Sequence, residues 1–483
     1  ADPYKRAAVK AIITLTGNWR SASGQMNTGA TQPFGDGTAG FWAWDSWKHA
    51  VATSKFNPTL AKEEIETIFQ FQQTDSNSPD YGTIYDNLGR DGLWNKRDSK
   101  PPLAAWAVYN YYEQTKNLDF LREIYDKLVL YHNWWYTNRD IDHNGIAEYG
   151  AMKVEGNETN GEPDVHKVLE AVSWESGMDN AARFDSNRNG KNSPYDDTEV
   201  FKLKKGDTVV GYTLNQESVD LNSYLYAEKC WLSEIAKLLG KPGEASKYLE
   251  DAEKIRDYIN TNMYDPITGY YYDLKISEDG KDKKLLTARG KGPEGWIPLW
   301  AGVATPAQAK TVVEQNMLNE DIFYTKMPFP TLAKDNGEFA PNSYWRGPVW
   351  LDQAMFAVEA LERYGYTTEA GVATRKLFEN ADGLMNGTAS IRENYNPLTG
   401  AGLNNTNFSW ASASFYNLFY HVIARNGKSS VQQLVDIPNN SDEILKKIEE
   451  KTVQAIKDYL ESAALITRTD ANEALAYQSK FEG

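Results

Sequence analysis

Stretch after stretch of this chain repeats apolar residues at i, i+3, i+4 and i+7, roughly over 4–16, 60–73, 102–116, 118–137, 217–239, 244–262, 306–317, 349–364, 366–380 and 409–424. That period places one side of each segment against a partner, so the segments predict helices that pack on one another. Strand-like alternation is scarce. The connections between the helices hold the clusters of Gly, Trp, Asp and Asn, which is where a helical scaffold displays a binding site. The expectation is an all-α toroid of helical hairpins with its functional connections gathered at one end.

The character changes after Arg425. Gly427-Lys428-Ser429-Ser430 reads as a linker, and 441–464 as a charged helix with apolar residues Ile444, Leu445, Ile448, Val453, Ile456 and Leu460 at helical spacing. The chain therefore divides into a unit over 1–425 and an extension over 426–483 that carries no recognisable chemistry. A single large unit is compatible with 483 residues.

Composition excludes several classes. A formal net charge of −16 repels a phosphate backbone, and no basic run resembles that of a nucleic-acid binder. No uninterrupted apolar run approaches the ~20 residues needed to span a bilayer. The single cysteine, Cys230, rules out an internal disulfide and a multi-thiolate metal site. The residues Ala1-Asp2-Pro3 show neither the charged nor the apolar region of a signal peptide, which leaves a processed exported protein and a cytoplasmic one both open. The sequons at Asn157, Asn386, Asn404, Asn407 and Asn439 do not decide between them.

The polar and aromatic residues of the loops fall into clusters. Phe41-Trp42-Ala43-Trp44-Asp45-Ser46-Trp47 embeds an acid among indoles at a helix start, where Asp45 can cap the helix or grip two hydroxyls of a sugar. Asp91-Gly92-Leu93-Trp94-Asn95 with Lys100-Pro101-Pro102 offers an indole and polar groups on one loop. Ser173-Trp174-Glu175-Ser176-Gly177-Met178-Asp179-Asn180 sets two acids four apart beside an indole and a glycine, an arrangement able to raise one carboxyl pKa as a general acid requires. Gly292-Pro293-Glu294-Gly295-Trp296 is a tight turn presenting an indole. Tyr344-Trp345-Arg346-Gly347-Pro348-Val349-Trp350-Leu351-Asp352 puts Arg346 between two indoles, and Arg392-Glu393-Asn394-Tyr395-Asn396-Pro397 is followed by Phe408-Ser409-Trp410. Each cluster alone has an ordinary structural reading. Together on a helical scaffold they suit a glycosidase, which needs two carboxylates flanking the scissile bond and aromatic walls around the sugar.

Asp140-Ile141-Asp142-His143-Asn144-Gly145-Ile146-Ala147-Glu148 matches the opening of a calcium loop, with oxygen side chains at positions 1, 3, 5 and 9 and glycine at 6. Ala151 stands where such a loop has its terminal Glu, so another ligand has to come from elsewhere. The five histidines form no His-x-x-x-His or His-Glu-x-x-His pattern, which leaves a catalytic zinc without support. No phosphate-binding glycine loop follows a strand.

In content and order these clusters resemble glycoside hydrolase family 63, the group of processing α-glucosidase I and its bacterial α-glucosidase relatives. The resemblance runs from Lys10 to about Tyr420. It rests on Gly17-Asn18-Trp19-Arg20, Trp44-Asp45-Ser46-Trp47-Lys48, Lys100-Pro101-Pro102-Leu103-Ala104-Ala105-Trp106, Ser173-Trp174-Glu175-Ser176-Gly177, Gln216-Glu217-Ser218-Val219-Asp220, Arg289-Gly290-Lys291-Gly292-Pro293-Glu294-Gly295-Trp296, Tyr344-Trp345-Arg346-Gly347 and Glu393-Asn394-Tyr395-Asn396-Pro397-Leu398-Thr399-Gly400.

The resemblance implies an (α/α)6 barrel and hydrolysis with inversion: Asp179 as general acid, Glu393 as the base that activates water, and Asp45 holding the sugar. Inversion would set the two carboxyls roughly 6.5–9.5 Å apart. It also implies sugar contacts from Trp44, Trp47, Trp94, Asn95, Lys100, Trp174, Glu294, Gly295, Trp296, Trp345, Arg346 and Trp410. It further implies a structural Ca2+ on Asp140, Asp142, Asn144, the Ile146 carbonyl and Glu148, with Glu217 as the distant ligand. Family members usually carry an N-terminal β-sandwich domain, whereas here the helical unit starts within about ten residues of the first residue. The expected activity is exo-acting release of glucose from α-glucosides. The alternatives are a related inverting hydrolase of trehalose or mannosylglycerate, and a non-catalytic sugar-binding scaffold.

Overall fold

The computed structural model describes residues 2–35, 40–186, 198–387, 389–431 and, in the C-terminal segment, 450–461 without 452, 455 and 459. Helices run over Pro3–Gly17 (α1), Ala43–Thr53 (α2), Pro58–Gln70 (α3), Ala104–Thr115 (α4), Leu118–Asn138 (α5), Val165–Glu175 (α6), Val219–Leu238 (α7), Pro242–Asn262 (α8), Ile297–Ala301 (α9), Pro306–Thr311 (α10), Leu351–Arg363 (α11), Thr367–Asn380 (α12) and Ser409–Leu418 (α13). Asn57, Asn117 and Asp164 cap α3, α5 and α6 through side-chain oxygens, and Pro58, Pro242 and Pro306 occupy first turns where no N–H is missed.

The contacts among these helices close on themselves. In the order α2, α4, α7, α9, α11 and α13 each packs on the next, and α13 packs back on α2. Outside that ring α1 lies on α13, α3 on α2, α5 on α4 and α7, α8 on α7, and α12 on α11. Burial follows this division. Every residue of α2 and α13 is buried, as is α11 from Leu351 to Leu361, whereas α3, α8 and α12 bury a single stripe. A helix enclosed on all sides has to find partners for its polar groups, and α2 and α11 meet that demand through the buried pair Lys48–Asp352 at 2.7 Å.

The all-α expectation needs correction in the connections. The strand Thr208–Glu217 pairs antiparallel with Val200–Lys205, Glu148–Met152 and Leu274–Ile276, and the last pairs with Lys283–Leu285. These strands escaped the periodicity argument because residues 210–217 are all buried, so no alternation of polar and apolar positions marks them. Helix α6 and the five-residue α9 were likewise not expected from the periodicity.

One hydrophobic core runs from Ala7 to Val431. The segment read as a linker enters it: Ser429, Ser430 and Val431 are buried, and Ser430 donates from both its backbone N–H and its hydroxyl to Glu359 on α11, at 2.8 and 2.7 Å. Of the C-terminal helix, Val453, Ile456 and Leu460 are exposed. Ile444, Leu445, Ile448 and Asn439 lie outside the described residues. No helix among the described residues is long and apolar enough to cross a membrane.

Candidate active site

Helices α2, α11 and α13 start beside one pocket, each entered from an extended residue at its N-terminus: Trp42, Trp350 and Phe408. Those three residues line the pocket together with Pro33, Phe34, Trp44, Asp45, Lys100, Gly177, Asp179, Tyr344, Trp345, Glu393 and Trp410. Its volume is about 120 Å³, well below the roughly 300–1,000 Å³ of pockets for drug-sized ligands. That size suits one sugar ring, and a second cavity of about 500 Å³ also reaches Asp179. A larger cleft of about 840 Å³, lined by residues such as His132, Lys229 and Tyr248, shares no lining residue with it and holds no indole.

An indole cluster forms one wall. Trp345 and Trp350 stack with centroids 4.1 Å apart and planes 8° from parallel, Trp44 meets Trp410 edge-on at 5.3 Å, and Trp350 lies 5.1 Å from Trp410. Lys48, buried and ion-paired to Asp352, sits 3.1 Å from the Trp44 ring and 3.8 Å from the Trp410 ring, so the cation is shared between two π faces and a carboxylate. The wall is therefore fixed in place before any ligand binds.

Asp179 enters on the loop that follows α6. Gly177 holds φ at +74°, and a β-carbon there would stand 2.1 Å from the Trp44 ring, so only glycine lets this loop lie against the indole wall. Burial drives the Asp179 pKa up to about 7; Lys100 opposes the rise, and Asp86, Asp45 and Glu393 add to it. Asp45, in the first turn of α2, is likewise raised to about 7 by burial, against Lys48, His49 and Lys100. Lys100 is held by Asp86 at 2.8 Å and donates to the carbonyl of Trp174. Asp179 is thus poised to keep a proton near neutrality.

Glu393 stands in a different setting, on the strand Arg392–Tyr395. Its Oε1 accepts from the Tyr344 hydroxyl at 3.0 Å, and its Oε2 accepts from the backbone N–H and the side-chain amide of Asn405 at 3.1 and 2.7 Å. Donors thus reach both oxygens and fix the orientation of the carboxyl group. The pocket holds two carboxyls, Asp179 and Asp45, whose pKa burial lifts to about 7, and a third, Glu393, held by donors on both oxygens, a set that can supply a general acid and a general base.

Of the residues expected to hold sugar, Trp44, Asp45, Lys100, Trp345 and Trp410 line this pocket. The others lie elsewhere. Trp47 is buried against Phe69, and Trp296 against Phe323 and Phe329 in the core. Gly295 packs its backbone on the Tyr270 ring. Glu294 faces Arg183 at 3.8 Å. Arg346 forks onto Asp185 and also reaches Glu338. Trp94 is exposed and donates to Asp91, Trp174 stacks under Arg97, and Asn95 braces Asp86 behind Lys100. Conversely, Trp42, Tyr344, Trp350 and Phe408 line the pocket; each stands in one of the sequence clusters, though none was among the expected sugar contacts. Asn405 and Asp86 carried no signal at all, because a residue that serves another side chain has no motif of its own.

The residues of the expected calcium loop do converge. Ligand oxygens of Asp140, Asp142 and Glu148 lie within 4.8 Å of one another. Glu148 is fully buried, and its Oε1 meets no hydrogen-bond donor. Burial raises the Asp140 pKa to about 6 and that of Glu217 to about 7, and it also raises Glu148. Such a crowd of oxygens, one of them orphaned in the interior, fits a hard divalent cation. Asn144 departs from the expectation: its amide nitrogen points at Asp142 and Glu217, at 3.0 and 3.1 Å, while its oxygen accepts from the Ile146 N–H. To serve as a ligand, that amide has to turn over.

A helical ring whose inner helices open on a sugar-sized pocket with three carboxyls and an indole wall defines the glycoside hydrolase class. The model of the mannosylglycerate hydrolase MGH1-like glycoside hydrolase domain matches residues 38–411, and the chain belongs to that family. Mannosylglycerate hydrolase MGH1 of Selaginella moellendorffii is 25% identical over 418 residues, covering 77% of this chain and 78% of that protein. Among solved structures, the glycoside hydrolase family 63 mannosylglycerate hydrolase from Thermus thermophilus, in complex with Tris and D-glycerate, superposes with a TM-score of 0.63 at 20% identity, over 85% of this chain and 99% of that one. Neutral trehalase Nth1 from Saccharomyces cerevisiae gives a TM-score of 0.60 at 16% identity, over 85% and 78%.

Proposed function

We propose that this chain is an inverting, exo-acting hydrolase of a small α-hexoside, with mannosylglycerate as the foremost substrate, Asp179 as general acid and Glu393 as general base. The observation that carries the chemistry is the contrast between the two carboxyls across one pocket. Burial lifts the Asp179 pKa to about 7, so much of the enzyme keeps this proton near neutrality, and Asp179 protonates the leaving glycosidic oxygen. Glu393 is fixed by Tyr344 and Asn405 and takes a proton from the attacking water. Asp45, at the foot of the indole wall, holds sugar hydroxyls.

The substrate reading shifts with the relatives. Glucose release from α-glucosides was the first expectation. Relatives named as mannosylglycerate hydrolases that match 77% of this chain favour the alternative, and a pocket sized for one ring agrees with a substrate of one sugar and a small aglycone. The ring of α2, α4, α7, α9, α11 and α13 supports reading the scaffold as an (α/α)6 barrel. The loop from Asp140 to Glu148 with Glu217 is assigned to a structural Ca2+, which would brace the loop and leave the hydrolysis to the carboxyls.

Incubation with mannosylglycerate, trehalose, kojibiose, nigerose, maltose and isomaltose, followed by proton NMR at early times, tests this reading. The expected result is β-mannose as the first product from mannosylglycerate. First release of the α-anomer would overturn the single-displacement mechanism. Cleavage of a glucosyl disaccharide alone would return the substrate to the α-glucosides.

A further inference from the structure

Asn180 follows the acid Asp179 directly, yet its side chain and its carbonyl both reach across to the loop that carries Tyr344. Its Nδ2 donates to the Ser343 carbonyl at 3.2 Å, its Oδ1 accepts from the Trp345 N–H at 2.7 Å, and its own carbonyl accepts from Arg346 at 3.2 Å. The residue enclosed by these contacts, Tyr344, sits at φ +56°, the left-handed region that a bulky side chain adopts only when its surroundings impose it. From that conformation the Tyr344 hydroxyl donates to Glu393 Oε1 at 3.0 Å, and the Tyr344 carbonyl accepts from the Trp350 indole at 2.8 Å. We propose that Asn180 and Tyr344 form a strap by which the acid's own loop positions the base, so that the placements of Asp179 and Glu393 are coupled rather than independent. This rests on the assignment of those two residues as acid and base.

The strap accounts for two otherwise separate facts. An amide next to the acid spends its bonding capacity on a distant backbone, and an aromatic residue is held in a costly conformation with its hydroxyl on the base. Asn405 fixes the other oxygen of Glu393, so the strap decides the orientation of the carboxylate and not its presence. Tyr344 and Asn180 are positioning residues in this scheme. Proton transfer stays with Asp179 and Glu393.

The test combines kinetics on mannosylglycerate with structures of the same variants. Tyr344→Phe deletes one oxygen and leaves the ring, so it should fold as the parent does. It is expected to lower kcat by about 10-fold with KM changed far less. That split between kcat and KM is what a misplaced base produces, and a general loosening of the fold does not. Asn180→Ala is expected to cost about 10-fold in the parent and within about 2-fold in the Tyr344→Phe background, because both substitutions break one chain of contacts. A crystal structure of Asn180→Ala should show Tyr344 out of the left-handed region and its hydroxyl away from Glu393, an outcome that needs no substrate. An unchanged kcat in Tyr344→Phe, additive losses, or an unmoved Tyr344 would each overturn the strap. Full activity in Glu393→Gln would sink the acid–base assignment instead, so the two failures are distinguishable.

Discussion

At the scale of single residues, the candidate chemistry depends on two carboxyls set in unlike surroundings within one pocket. Burial raises Asp179 to about 7, so the fraction of enzyme with a protonated acid falls as pH rises through that value, and the basic limb of kcat/KM is expected near pH 7. Asp179→Asn should lower kcat by about 10²–10⁴-fold and remove that limb from whatever activity remains. The same shift has a consequence for stability. The folded state holds this proton up to about pH 7 while the unfolded chain releases it near the ordinary Asp value of about 4, so the native state binds more protons in that window and stability declines as pH rises through it. The melting temperature of Asp179→Asn relative to the parent should therefore climb by a degree or more, roughly, between pH 5 and pH 8. A difference that stays flat with pH would mean that Asp179 is not held protonated. Asp179 and Glu393 were readable from sequence because each sits in a cluster of unusual residue types. Tyr344 and Glu393 stood in separate clusters, and nothing in the sequence joined the hydroxyl to its target, since they lie 49 residues apart and only the fold brings them together. Asn405 is an ordinary residue in a polar run, and nothing in its neighbours marks it.

At the scale of elements, the periodicity found the inner helices α4, α7, α11 and α13, although α13 and most of α11 are as completely buried as α2. Helix α2 fell outside the periodic segments, and only its cluster of indoles drew attention to it. The strand Thr208–Glu217 left no alternation to read, because residues 210–217 are all buried. Trp47 and Trp296 show the converse error, because an indole beside Asp or Gly reads alike whether it faces a ligand or the core.

The element that ties α2 to α11 is the Lys48–Asp352 pair beneath two indoles. Lys48→Met is expected to destabilise the fold by about 3–5 kcal/mol by stranding a buried carboxylate. Pairing it with Asp352→Leu should recover most of that loss, as read by urea unfolding. A single substitution that costs no more than the double would show that the pair contributes little. The loop from Asp140 to Glu148 makes a different prediction. If Ca2+ binds there, EDTA lowers the melting temperature by several degrees, consistent with about 2.7 kcal/mol at a hundredfold excess over Kd, and added Ca2+ restores it. Asp142→Asn then melts at the same low temperature with or without the chelator. No response to EDTA would remove the metal.

At the scale of the whole molecule, the boundary of the folded unit is set by what its core needs and not by composition. Gly427-Lys428-Ser429-Ser430 reads as a linker, yet Ser430 donates twice to the buried Glu359, which also accepts from the Trp300 indole at 2.8 Å. The Val431 carbonyl accepts from Arg363 and the Ser430 carbonyl from Asn110, so this short stretch bridges α4 and α11. Small polar residues look alike in a loose tether and in a segment whose backbone satisfies buried charges, which is why the sequence placed the boundary at Arg425. Two truncations separate these roles. A chain ending at Val431 loses a helix whose Val453, Ile456 and Leu460 are exposed, and its melting temperature should stay within about a degree of the parent. A chain ending at Arg425 strips both Ser430 donors from Glu359 and leaves it the Trp300 indole. An unsatisfied buried polar group costs about 1–3 kcal/mol, and more when charged, so this chain should melt several degrees lower. Equal melting temperatures for the two truncations would mean that water reaches Glu359 once the segment is gone, and that the ring closes without it.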